Sequence, residues 1–90
     1  MNDDLDIRRK RLRYRCWHRG TRELDLLLGR FVDAALATMD ARDLDRLEAL
    51  IEVPEPILYS WVTGHGTPPP AYDHDLFRRL RAFHRPSERF

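Results

Sequence analysis

Ninety residues, 42% hydrophobic and 34% charged, suit one small domain; such a chain buries roughly 60–65% of its unfolded surface and leaves little room for a deep cofactor pocket of its own. No stretch approaches the ~20 apolar residues of a membrane span. The net charge of +1 hides a division: +4 over residues 1–30, −5 over 31–60 and +2 over 61–90.

The acidic start, Met1-Asn2-Asp3-Asp4, matches neither a secretory signal nor an arginine-rich transit peptide. A first helix is expected from about Leu5 to His18, with no Gly or Pro before Gly20. Its apolar positions are sparse, Leu5, Leu12 and Cys16 on one face and Ile7, Tyr14 and Trp17 on the other, which predicts weak packing. Between residues 8 and 22 stand Arg8, Arg9, Lys10, Arg11, Arg13, Arg15, Arg19 and Arg22 with no acid, and fifteen of the chain's sixteen basic residues are Arg. Arg pairs bidentately with carboxylates and phosphates, where Lys acts as a point charge. That bias, with Tyr14 and Trp17 interleaved, favours a binding surface over a merely solvated face.

Gly20 marks a turn, glycine being the residue that ends helices in the left-handed conformation at little cost. The second helix, roughly Arg22 to Thr38, has the strongest periodicity. Leu24, Leu27, Leu28, Phe31, Ala35 and Met39 line one side and Asp25, Arg30 and Asp33 the other. Asp40 is the expected N-cap of a third helix with Leu44, Leu47, Leu50 and Ile51 inward. Pro54 and Pro56 stop that helix and start a fourth, about Glu55 to Thr63, which buries Ile57, Leu58, Trp61 and Val62 and ends at Gly64. The run His65 to Pro70 takes an extended path. Asp73 caps a fifth helix with Leu76, Phe77, Leu80 and Phe83 inward and Arg78, Arg79 and Arg81 outward, and Pro86 ends it. The pattern specifies an all-α fold, a compact five-helix bundle over residues 1–90, with 1–4 and 87–90 loose.

No catalytic constellation stands out. Cys16 and His18 sit two apart, on different sides of a helix. Nearby arginines would make the Cys16 thiol reactive if it were exposed, but an inert buried cysteine is the more frequent case. With one cysteine there is no internal disulfide framework, which fits a reducing compartment. His65, His74 and His84 have no zinc-ligand spacing, so no metal site is expected. Gly64-His65-Gly66 follows no strand and is not a phosphate loop.

The segment that does stand out is Arg19-Gly20-Thr21-Arg22-Glu23, a free turn flanked by an arginine and a glutamate. One reading is a local Arg19–Glu23 ion pair, worth ~0–1 kcal/mol if exposed. The other is a turn that presents its backbone and arginine to a partner, Gly20 being needed where a side chain would collide. The residues alone leave both open.

The segment Arg8 to Asp25 resembles the succinate dehydrogenase flavinylation factors, or FAD assembly factors, whose hallmark Arg-Gly-x-x-Glu is matched at Arg19, Gly20 and Glu23. Further matches are Leu27-Leu28-Gly29-x-Phe31, the acidic, Leu-rich third helix, and Trp61 followed by Gly64. The resemblance covers about residues 8 to 68 and departs from the family pattern at Pro54-Glu55-Pro56. It implies a small helical protein that is not an enzyme and holds no cofactor itself; the lack of a membrane span, a signal and a disulfide framework reads as cytoplasmic, and a monomer is expected. Its implied partner is the flavoprotein subunit of succinate dehydrogenase, with fumarate reductase as a second candidate, on which it promotes covalent attachment of FAD to a histidine. Attachment places negative charge on the flavin ring, so orientation and fixed positive charge help. The implied partner-binding residues are Arg19, Gly20, Glu23, Arg8, Arg9, Arg11, Arg15, Tyr14, Trp17 and Asp25. The rival reading, an arginine-rich helical nucleic-acid-binding domain, is opposed by the acidic middle of the chain and by a pI near 8.0. A redox sensor acting through Cys16 is a third.

Overall fold

The computed structural model describes residues 3–19 and 22–84. Five α-helices run in order, α1 (Asp3–Trp17), α2 (Arg22–Ala35), α3 (Ala41–Ile51), α4 (Glu55–Val62) and α5 (Asp75–His84), with a 3-10 turn over Leu36–Thr38. There is no strand among the described residues. The all-α arrangement follows from the apolar periodicity: the stripes of α2, α3 and α5 close on one another because each amphipathic face needs another to cover it.

The core joins Leu24, Leu27, Leu28, Phe31 and Val32 of α2 to Leu44, Leu47, Leu50 and Ile51 of α3. Leu58, Trp61 and Val62 of α4 and Leu76, Phe77 and Leu80 of α5 complete it. The rings of Trp61 and Phe77 meet edge to face at 6.4 Å, and Tyr72 tilts onto Trp61 at 5.4 Å. Asp40 caps α3 as expected, its Oδ1 accepting the Asp43 N–H at 2.9 Å. Gly64 closes α4 with φ +88°, the conformation glycine tolerates. No described helix is long and apolar enough to cross a membrane.

Five expectations are corrected. Ile57 and Phe83, read as inward, are 46% and 47% exposed. Helix α4 has only eight residues, too short for all four of its apolar groups to reach the core, and Phe83 lies on the final turn of α5. The cap of α5 is His74, not Asp73: His74 Nδ1 accepts the Phe77 N–H at 3.1 Å, while Asp73 accepts from Arg78. Arg79 does not point out to solvent but pairs with Asp43 of α3 at 3.1 Å. The loop before α5 is not one extended run: amides of His65 and Gly66 bond back to the Ser60 carbonyl, and those of Tyr72 and Asp73 to the Pro69 carbonyl.

The fifth correction concerns α1, which does not pack weakly. It lies against both α2 and α3, with Leu12 1% and Cys16 0% exposed. Trp17 lays its indole on Gly29 of α2 so closely that a Cβ there would stand 2.3 Å from ring carbons. Ionic contacts, invisible to a hydrophobic count, do the rest.

Candidate protein-docking surface

The basic run of α1 faces in two directions. On its inner flanks Arg8 reaches Asp45 at 2.5 Å and Glu48 at 3.0 Å, and Arg15 pairs with Glu52. Arg13 bonds Asp33 of α2 at 2.6 Å, and Arg9 donates to the Met39 carbonyl at 2.8 Å. The Asp45 hydrogen bond raises the Arg8 pKa; the Arg13 bond, with the Trp17 indole N–H assisting, holds Asp33 below the usual carboxylate value. The positive first third and the negative middle third therefore neutralise one another within the fold. Each exposed pair contributes little alone, but the set fixes the rotation of α1 about its axis.

That rotation decides what faces outward. Ile7, Lys10, Arg11, Tyr14 and His18 share one stripe by helical spacing, and all are exposed. The Tyr14 and His18 rings stack at 4.0 Å. A shallow hollow beside them is lined by Lys10, Arg13, Tyr14, Trp17 and His18. Lys10 and Arg11 make no ion pair among the described residues.

At the junction, Gly20 falls outside the described residues, but its flanks are defined. Arg19 forms no ion pair with Glu23. Its guanidinium turns inward onto the end of α3, donating to the Ile51 carbonyl and, at 3.1 Å, to that of Val53. A cation at a helix C-terminus satisfies carbonyls that have no partner within the helix. Its backbone N–H is held by Asp25 Oδ1 at 2.7 Å. Arg19 and Asp25 thus set the approach of α1 to α2, whereas Glu23 is exposed on the outer face of α2.

The family described as flavinator of succinate dehydrogenase matches residues 10–84. The chain belongs to that family. It is 41% identical over 78 residues to the FAD assembly factor SdhE of Acetobacter pasteurianus, covering 87% of this chain and 72% of the relative. With the FAD assembly factor SdhE of Coxiella burnetii it shares 32% over 81 residues, 90% and 95% of the two chains. With the mitochondrial succinate dehydrogenase assembly factor 2-A of Drosophila mojavensis it shares 33% over 90 residues, 98% of this chain and 57% of the relative. No solved structure matches.

In this flavinator-family chain the motif residues do not form one patch. Tyr14 and Arg11 lie on the outward stripe of α1, Arg8, Arg9, Arg15 and Arg19 are tied down by their partners, and Trp17 is half-buried on Gly29. Sequence reasoning missed the outer face of α2 beyond Glu23. There Leu26 and Arg30 stand in line with Glu23 and meet Tyr59 and Phe83 from α4 and α5. The spacing 23, 26, 30 carried that signal, but the strong inner stripe drew the assignment.

The buried thiol of Cys16 is pushed up to about 12, mainly by desolvation, which outweighs the opposing pull of Arg19 and Arg15. It is held as an inert thiol at neutral pH. No group of three or more candidate metal ligands occurs among the described residues.

Proposed function

We propose that this chain is an assembly factor that binds the flavoprotein subunit of succinate dehydrogenase in the cytoplasm and promotes covalent attachment of FAD to it, acting as a monomer and without performing the chemistry. Membership of the flavinator family is the observation that carries this reading; the relatives' names, FAD assembly factor and succinate dehydrogenase assembly factor, point the same way. The FAD belongs to the partner. Fumarate reductase is the second client proposed.

The chain contributes a rigid surface. Lys10, Arg11 and Tyr14 on α1, together with Glu23 on α2, offer charge and an aromatic ring to the partner, while Arg19 holds the two helices at a fixed angle. A surface of fixed shape that fits one arrangement of the flavoprotein's domains shifts the population toward that arrangement. The internal pairing of Arg8, Arg13 and Arg15 with carboxylates weighs against the nucleic-acid reading, since those charges are already engaged.

The test is deletion of the gene, followed by in-gel fluorescence of covalent flavin on the flavoprotein subunit under ultraviolet light. Fluorescence is expected to fall sharply and to return with the wild-type chain but not with Glu23→Ala. Undiminished fluorescence in the deletion strain would refute the assignment.

A further inference from the structure

We propose that the groove between α2, α4 and α5 receives a segment of the flavoprotein partner that presents one apolar side chain between a basic and an acidic residue. The inference rests on the proposed function, because it extends the same docking surface from Glu23 onward.

Two adjoining hollows share Glu23 and Tyr59. The first is bounded by Leu24, Glu55 and Pro56, the second by Leu26, Leu27, Arg30, Phe83 and His84. Leu26 is 37%, Tyr59 41% and Phe83 47% exposed. Single exposed apolar side chains are ordinary; convergence of three, from three helices, on one groove marks an interaction site. Phe83 is also oriented: its ring meets Phe31 edge-on at 5.6 Å, which anchors one side and leaves the other to the groove.

Charge sets what fits. Glu23, Leu26, Leu27 and Arg30 follow i, i+3, i+4, i+7 spacing, so they share a face, with ~10 Å of helix rise between the two charges. Most charges on α1 and α3 are paired internally, yet neither Glu23 nor Arg30 forms an ion pair among the described residues. The complement is a cation opposite Glu23, an apolar group over Leu26 and Phe83, and a carboxylate opposite Arg30. Volumes of about 280 and 310 Å³ lie at or below the small end of ligand pockets, which suits side chains rather than a dinucleotide. The groove's few residues fall well short of the ~20–30 per side of a free-standing interface. It therefore serves as part of a larger surface, and Glu23 joins it to the one proposed above.

Binding of the full chain to the isolated flavoprotein subunit, measured by calorimetry, tests this. The variants are the double substitution Leu26→Ser with Phe83→Ser, the single Arg30→Glu, and Glu23→Ala, with circular dichroism melts to confirm that each folds. Each of the first two is expected to weaken binding by roughly tenfold or more, as truncation of a central contact does. If both bind like the wild type while Glu23→Ala binds weakly, the groove is not an interface and the proposed function stands. If the wild-type chain itself does not bind, both readings fall. If sedimentation shows a dimer that Phe83→Ser dissolves, the groove belongs to a second copy and the proposal is overturned.

Discussion

Replacing Gly29 by alanine probes the seating of α1 directly. An alanine Cβ would stand 2.3 Å from Cδ2 and Cε2 of Trp17, whereas carbons in contact sit at ~3.5–4.0 Å. The indole, or α1 with it, must retreat by about 1 Å. Overpacking of this kind costs about 1–3 kcal/mol, and the better helix propensity of alanine returns about 0.8–1.0 kcal/mol. The net loss is up to about 2 kcal/mol, a fall in Tm of up to roughly 15 °C for a domain of this size. With Trp17→Ala in the background the collision disappears, and Gly29→Ala should then stabilise by about 0.5–1 kcal/mol. Urea denaturation followed by far-ultraviolet circular dichroism on the four members of the cycle measures both effects. Equal stabilisation by Gly29→Ala in the two backgrounds would show that Trp17 does not rest on Gly29, and the account of α1 would fail.

Two further outcomes follow from the titratable groups. Burial, aided by Arg46 and opposed by Asp43 and Asp73, lowers the His74 pKa below 6.5, and the cap of α5 uses its unprotonated Nδ1. Folding therefore favours the neutral ring: the contribution is complete above the unfolded pKa and is lost as pH falls through the lowered folded one. Urea midpoints taken from about pH 7.5 down to about pH 5 should show a decline that His74→Asn, which keeps a capping acceptor, largely removes; an identical decline in the variant refutes the assignment. Cys16 should resist a thiol reagent at about pH 8 in the native protein and react fully in urea. Labelling of the native chain at the rate of a free thiol would contradict its burial.

The elements read most easily from sequence were those held by apolar periodicity. Helices α2 and α3 and the Asp40 cap could be placed because leucines at three- and four-residue spacing have one favourable arrangement. The packing of α1 was hidden, since much of its grip on the rest of the fold comes from arginines whose acceptors lie twenty to forty residues away, and ion pairs leave no period. Its charge imbalance was visible, and so was the opposite imbalance of residues 31–60, but not that the two are each other's partners. Ile57 and Phe83 were misplaced because helical spacing gives the face a residue occupies and not whether the core extends that far. For the docking surface, Glu23 kept the outward position its spacing gave, while Arg19 turned inward to carbonyls, an acceptor that no side-chain pattern announces.

The reach of those arginines also orders events in time. Arg8 is joined to a residue forty positions later, Arg15 to one thirty-seven later and Arg19 to one thirty-two later. As the polypeptide leaves the ribosome, α1 can meet α2 early, but these three arginines have no acceptors until the segment through Val53 has followed. The helix that carries the proposed docking face is thus fixed in rotation only after α3 has been made, well after its own residues.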